Sequence, residues 1–150
     1  MKKLLAAVLL VVSLPHPALA GSGVVTIPSK YSVEETMDRF EAAVKKATPA
    51  TQMFARIDLQ ALAGPQSKVR PVQLIIFGRG GVLREVLPSV PQAAIDLPPK
   101  ALAWQDETGK VWLAYNTGEY LADRHAIPGK ESLMKQLTQF SASFAKAATE

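Results

Sequence analysis

One amphipathic helix pattern constrains the fold more than any other feature of this sequence. It covers residues 31–47, YSVEETMDRFEAAVKKA, and its apolar residues recur at spacings of four and three, which places them on one side of a helix. Ser32 followed by Glu35 is typical of a capping box at the helix start, and Thr48-Pro49 ends the pattern. The predicted apolar face comprises Val33, Met37, Phe40, Val44 and Ala47.

Strand patterns lie on both sides of this helix. Residues 24–27 indicate a short strand that Pro28 closes, and residues 59–70 are predicted as a loop with room for one helical turn. Residues 70–78, RPVQLIIFG, are nearly all apolar and predict an interior strand covered on both faces. Alternation along MFARID predicts a strand with Met53, Ala55 and Ile57 on one face and Phe54, Arg56 and Asp58 on the other.

Residues 98–116 read as a β-hairpin with turn-forming residues at 106–109. A turn of either two or four residues would place Lys100, Leu102 and Trp104 on the same face as Tyr115. Either turn also places Trp104 and Trp112 on opposite faces, so that one is expected in the core and the other exposed or at an interface.

Two helices are predicted to complete the chain. Asn116 is expected to cap a short helix through EYLADRH, and Pro128-Gly129 ends that segment. A longer helix is predicted over residues 130–147. Its apolar face is expected to contain Leu133, Leu137, Phe140 and Phe144.

The first twenty residues, MKKLLAAVLLVVSLPHPALA, read as a secretory signal peptide. Two lysines precede the apolar stretch Leu4–Leu14, which is too short to span a bilayer, and Ala18-Leu19-Ala20 is typical of a cleavage site. We therefore expect cleavage between Ala20 and Gly21 and a periplasmic or secreted protein. Residues 21–150 are expected to form a single domain with no membrane span.

Composition excludes several kinds of site. The chain contains no cysteine, so thiolate metal sites, thiol nucleophiles and haem attached through cysteine are excluded. Signal cleavage would leave His125 as the only histidine, which is too few for a multi-histidine metal site in one chain. It would also lower the net charge from +4 to +2, and no dense basic run remains. We predict no metal, no cofactor and no nucleic-acid partner.

The segment FGRGGVLRE resembles a phosphate-binding turn between a strand and a helix. Its glycines, Gly78, Gly80 and Gly81, are too closely spaced for a dinucleotide fingerprint, and the Gly-Lys-Ser/Thr of a Walker loop is absent. Arg79 and Arg84 could hold a single anion, with a tight turn of no binding function as the alternative. A nucleotide site is not predicted.

Several segments in series carry a family resemblance, namely YSVEETMDRFEAAVKKA, FARID, RPVQLIIFG, AIDLPPKALAWQDETGKVWLAYN and EYLADRH. Their order and spacing over residues 31–127 resemble the family called domain of unknown function 302. The resemblance implies an α+β fold of the TATA-binding-protein-like group, β-α-β(4)-α, and it implies homodimers. The element order predicted from the residues agrees with that fold. Leu59, where family members often have histidine, and Arg79-Gly80-Gly81, in place of an Asn-Pro-Lys turn, depart from the family pattern.

Polar side chains interrupt segments that are otherwise predicted to be core, and they suggest a small binding cleft. The basic members Arg56, Lys100 and Arg124 favour an acidic ligand. The structural alternative is a set of ion pairs, such as Asp58 with Arg124, and a Tyr115 hydroxyl bonded to the backbone. Asp96 and Tyr120 belong to the same polar set. The candidate ligand-binding residues are Arg56, Asp58, Gln73, Lys100, Tyr115, Arg124 and His125.

Three hypotheses follow for function. The first is an exported, non-catalytic module that binds a small ligand or a partner. The second is an interaction module that dimerises or docks onto another exported protein, motivated by the exposed tryptophan and the terminal amphipathic helix. The third is a hydrolase or transferase using His125 with Asp58 or Tyr115, although no nucleophile motif supports it.

Overall fold

A computed structural model describes residues 23–47, 49 and 51–150 of the chain. The predicted signal peptide and its cleavage site lie outside these residues. Within the described part, no helix has both the length and the apolar character needed to cross a membrane.

Five antiparallel strands form one sheet, in the order β1-β5-β4-β3-β2. The strands and the long helices follow the predicted β-α-β(4)-α order, so the α+β class is confirmed. The elements are β1 (Val24–Ser29), α1 (Val33–Lys46), β2 (Gln52–Asp58), α2 (Leu59–Ala63), β3 (Val72–Gly78), α3 (Gly80–Val86), a 3-10 helix (Pro91–Ile95), β4 (Lys100–Gln105), β5 (Val111–Asn116), α4 (Gly118–His125) and α5 (Glu131–Thr149).

Helix α1 forms as its sequence predicts. The Ser32 hydroxyl accepts a hydrogen bond from the backbone N–H of Glu35 at 3.1 Å, which caps the first turn. Val33, Met37, Phe40 and Val44 are all buried against the sheet. The 3.6-residue period alone therefore located the buried face correctly.

The core lies between the sheet and the two long helices, α1 and α5. The rings of Phe40 and Phe77 meet edge to face with centroids 5.0 Å apart, and Phe144 of α5 lies 5.9 Å from each of them. Such edge-to-face contacts add to the stabilisation from burying the rings. We call the side of the sheet that carries this core the helix face.

The buried face of α5 is rotated slightly from its predicted position. Leu137 and Phe144 are buried as predicted, but Leu133 and Phe140 are only half-buried. Adjacent residues on the surface of α5 are buried instead, because α5 packs on α4 as well as on α1 and therefore buries a broader part of its circumference. The buried residues of α5 are Met134, Leu137, Ser141, Phe144, Ala145, Ala148 and Thr149.

A β-bulge breaks the predicted alternation of β2. Met53 pairs with Phe77, but Ala55 pairs with Ile76, so Phe54 is an additional residue and is 48% exposed. Met53 therefore lies on the helix face together with Arg56, and the prediction that Met53 and Ala55 share a face was wrong. Strand patterns alone do not reveal an additional residue of this kind.

The turn of the β4–β5 hairpin differs from both predicted turns. Gln105 pairs with Val111, which leaves residues 106–110 in the turn, and Gly109 adopts a positive φ of 86°. The Asp106 carboxylate accepts hydrogen bonds from the backbone N–H groups of Thr108 (2.9 Å) and Lys110 (3.0 Å). Both predicted turns have an even number of residues. With the odd number observed, the β4 residues that were predicted to share a face with Tyr115 lie instead on the opposite face.

This register places Trp104 directly opposite Trp112, so the two tryptophans share a face and the prediction of opposite faces was wrong. Lys100 and Leu102 lie on that same face. Tyr115 lies on the helix face opposite Ala101, contrary to the predicted grouping with Lys100.

The side of the sheet opposite the core is apolar and only half-buried, and we call it the open face. Strand β3 is interior in the sheet, but Leu74 and Ile76 are only half-buried, so the prediction that both of its faces are covered was wrong. The residues of the open face lie beside one another in each pair of neighbouring strands. The open face comprises Val24, Thr26, Pro28, Ala55, Ile57, Val72, Leu74, Ile76, Lys100, Leu102, Trp104, Trp112, Ala114 and Asn116.

Candidate functional site

Arg56 and Gln73 join strands β2 and β3 to helix α1. The Arg56 guanidinium lies 2.5 Å from an Asp38 carboxylate oxygen and 3.4 Å from Glu41, and it donates two hydrogen bonds to the Gln73 side-chain oxygen at 2.8 and 3.0 Å. The hydrogen bond from Lys45 lowers the pKa of Glu41 against the opposing effect of desolvation, and Arg56 contributes to the same lowering. The charge of Arg56 is therefore already compensated within the fold.

Asp58 caps the short helix α2. Its carboxylate accepts a hydrogen bond from the backbone N–H of Ala61 at 2.9 Å. The Asp58–Arg124 ion pair considered from the sequence does not form, because Arg124 binds Asp96 instead.

Asp96 connects the end of the 3-10 helix to α4. One of its carboxylate oxygens lies 2.8 Å from Nε of Arg124 and 2.7 Å from Nε2 of His125, whose side chain is only 8% exposed. Arg124 also donates to the Tyr120 hydroxyl at 3.2 Å, and its pKa is raised first by that hydrogen bond and then by Asp96. The Lys100 ammonium donates to the backbone carbonyls of Asp96 (3.1 Å) and Pro98 (3.2 Å).

Asp96 is thus the centre of a cluster to which sequence reasoning gave no special weight. Its position shortly before a strand was visible, but the two partners of its carboxylate, Arg124 and His125, are far from it in sequence. Helix α4 carries Arg124 and His125. It is capped by Thr117 rather than by the predicted Asn116, since the Thr117 hydroxyl accepts a hydrogen bond from the backbone N–H of Tyr120.

Tyr115 belongs to the core. It is 6% exposed, and burial raises the pKa of its hydroxyl. The seven candidate residues therefore lie in four places: Arg56 and Gln73 beside α1, Lys100, Arg124 and His125 around Asp96, Asp58 at the cap of α2, and Tyr115 in the core. The structure does not bring Arg56, Lys100 and Arg124 together. Over residues 23–47, 49 and 51–150, no three histidine or carboxylate side chains are grouped closely enough to hold a metal ion.

The open face presents the paired tryptophans at its β4–β5 end. Nε1 of Trp112 donates to the Asp106 carboxylate at 2.7 Å, and the Lys110 ammonium lies 3.9 Å from the Trp112 ring centroid. Hydrogen bonds from Thr108 and then Trp112 lower the pKa of Asp106 to about 2. The turn thereby fixes the orientation of one indole ring on the open face.

A shallow depression of about 240 Å³ lies further along the open face. Leu74, Leu102 and Ala114 form part of its apolar lining, with Lys100 and Asn116 at one end. The arrangement provides a broad apolar surface, which is suited to contact with another macromolecule.

The chain belongs to the protein family described as Domain of unknown function DUF302, whose model matches residues 25–144. The family predicted from the sequence is thus confirmed, and the match extends beyond residues 31–127.

Relatives in Brucella are named as fluoride-specific ion channels. FluC 1 of Brucella suis biovar 1 (strain 1330) is 38% identical over 117 residues, which cover 75% of this chain and 44% of that protein. FluC 1 of Brucella abortus biovar 1 (strain 9-941) has the same identity over 42% of its length. The chain therefore spans less than half the length of these relatives.

A solved structure shares the fold. The crystal structure of an uncharacterized conserved DUF302 protein from Bacillus stearothermophilus matches with a TM-score of 0.65 and 13% sequence identity. The match covers 85% of this chain and 96% of that one, so the similarity extends over nearly the whole of that structure.

Proposed function

We propose that this chain is an exported, non-catalytic binding module that pairs with a second copy of itself through the open face of its sheet. The observation that carries the proposal is the direct pairing of two half-buried tryptophans, Trp104 and Trp112, on an apolar face. Tryptophan is enriched where protein surfaces meet, because its ring buries a large area with few rotatable bonds.

The charge of the open face favours a second copy as the occupant. Lys100 is its one charged member, and the Lys100 ammonium is directed to the carbonyls of Asp96 and Pro98. Two such faces can therefore approach without strong repulsion between like charges. Lys110 and Asp106 at the hairpin turn provide charges of both signs at the rim, as in self-complementary interfaces.

The size of the face limits the strength of the dimer. Five strands about 4.8 Å apart, each rising about 3.3 Å per residue over six or seven residues, present roughly 500 Å². Two copies would bury on the order of 1,000 Å², which is the lower limit for a specific interface. We therefore expect a dimer that dissociates on dilution.

Sedimentation velocity tests this proposal on the mature chain, residues 21–150. The sedimentation coefficient is expected to rise from the monomer to the dimer value between low and high micromolar concentration. Leu102→Asp places a carboxylate at the centre of the open face and should keep the protein monomeric, whereas Ala147→Asp, on the exposed side of α5, should dimerise like the wild type. A wild-type chain that stays monomeric throughout, or equal behaviour of both variants, contradicts the proposal.

The Brucella relatives favour a second candidate partner. In those proteins the matching segment belongs to a chain more than twice as long as the segment itself. That chain is named as a fluoride-specific ion channel. A membrane protein of that kind, made as a separate chain, would be the alternative occupant of the open face. Binding to such a protein by the wild type but not by Leu102→Asp, together with a monomeric wild type, would favour this candidate over the homodimer.

Export can be tested separately. Expression of the full chain followed by mass measurement of the purified protein should give a mass that starts at Gly21, because Ala18-Leu19-Ala20 is typical of a signal-peptidase site. A mass that includes Met1 would contradict export by this route and would leave the dimer test unaffected.

A further inference from the structure

A second site lies on the helix side of the sheet, in a cleft of about 300 Å³ between α3 and α5. Its walls are mainly apolar, with Val82 on one side and Leu133, Leu137 and Phe140 on the other. Leu133 and Phe140 are the two α5 residues that were predicted to be buried and are only half-buried, because this cleft exposes them. The volume lies at the lower limit for small-molecule sites.

Charged groups lie at the edges of this cleft. The Arg79 guanidinium carbon lies over the Phe140 ring, 3.9 Å from its centroid, and Arg79 lines the cleft. Glu85 also lines it, but the Lys130 ammonium lies 2.8 Å from the Glu85 carboxylate. Lys130 thus offsets the charge of Glu85, and the Arg79 guanidinium is the cationic group that lines the cleft, which suits an anionic ligand.

The glycine-rich turn noted in the sequence forms one wall of this cleft. Gly81 lines the cleft, and a Cβ at either Gly80 or Gly81 would meet no atom within 4 Å. Packing therefore does not require glycine at these two positions. The lack of a side chain at Gly81 leaves space in the cleft.

We propose that the cleft binds a small amphiphilic carboxylate, with its apolar body against Leu133, Leu137 and Phe140 and its carboxylate on Arg79. A volume of 300 Å³ equals that of about ten liquid water molecules, so it admits an apolar body of about ten non-hydrogen atoms. Arginine provides five N–H donors in a planar fork that matches a carboxylate, and a hydrogen bond between charged partners is stronger than a neutral one. This site is separate from the open face and does not depend on dimerisation.

Calorimetric titration with octanoate, and with octanol as a neutral probe of the same length, tests the role of Arg79. The wild type should bind octanoate saturably and more tightly than octanol. Arg79→Gln should weaken octanoate binding by about tenfold, the equivalent of one charge-assisted hydrogen bond, and leave octanol binding unchanged. Arg84→Gln is the matched control, because Arg84 is exposed on α3, the helix that directly follows Arg79, and does not line the cleft.

Two glycine variants test the location of the site. Gly81→Val should narrow the cleft and weaken binding of both probes, whereas Gly80→Val, its neighbour in the first turn of α3, should bind like the wild type. Absence of saturable octanoate binding to the wild type, or equal binding by the two glycine variants, would overturn the proposal. Leu102→Asp should bind octanoate normally, so failure of the dimer proposal would be distinguishable from failure of this one.

Discussion

The two faces of the sheet are built from the same five strands but differ in how they are covered. On the helix face, Phe40, Phe77 and Phe144 pack edge to face and are at most 6% exposed. On the open face, Trp104 and Trp112 lie opposite each other and remain half-buried. Both faces are apolar, so hydrophobicity alone does not distinguish a core from an interface; coverage by other elements does.

The largest expected difference between the faces is in stability. Phe40→Ala should lower the free energy of unfolding by about 3–5 kcal/mol, because it opens a cavity in the core. Leu102→Ala should lower it by about 1 kcal/mol, a typical value for a single substitution, since Leu102 is only half-buried. Urea unfolding of the two variants at a concentration where the protein is monomeric measures both values. Equal losses would mean that the open face is packed like a core.

A smaller effect is expected at the hairpin turn, and it depends on pH. Asp106 has a pKa of about 2 in the folded protein against an ordinary 3.8, so its stabilising effect is fully present above about pH 4 and is lost as the pH falls toward 2. Asp106→Asn should therefore be less stable than the wild type at neutral pH, and the difference should shrink in acid. An NMR titration of the Asp106 carboxyl group with an ordinary midpoint would contradict this account of the turn.

The smallest effect is expected at the rim of the open face. The Lys110 ammonium lies 3.9 Å from the centroid of the Trp112 ring, and an exposed cation–π contact contributes about 0.5–1 kcal/mol. Lys110→Gln should lower the melting temperature slightly, while Lys68→Gln, in an exposed loop, should leave it unchanged. A shift of the same size in both variants would assign the effect to net charge rather than to the contact.

Local patterns in the sequence predicted much of the fold. The Ser32 cap and the buried face of α1 depend on residues of one continuous segment, each within about a turn of the next, so the sequence contains all the information that they need. The order of strands and helices was also predictable, because each element has its own period.

Which strand residues share a face of the sheet was not predictable in the same way. It depends on how many residues the β4–β5 turn contains, and several turn lengths are compatible with DETG. One additional residue in that turn moves Trp104 to the same side as Trp112, just as the bulge at Phe54 moves Met53 relative to Ala55. The tryptophan pair that carries the proposed function could therefore be recognised only from the structure.

Candidate site residues were the least predictable part. Arg56 and Gln73 interact across paired strands, and Asp96 meets His125 from a distant part of the chain. A sequence indicates that such polar groups need partners, but only the tertiary fold determines which partners they have. An anion site at Arg79 was considered from the sequence, but its apolar wall was not, since α3 and α5 are far apart in sequence.

Tryptophan fluorescence tests the central claim most directly, because the chain has two tryptophans and both lie on the open face. Quenching by acrylamide should be strong at low protein concentration and should weaken as the concentration rises and the faces pair. Leu102→Asp should remain strongly quenched at every concentration. Wild-type quenching that does not change with concentration would contradict pairing through the open face.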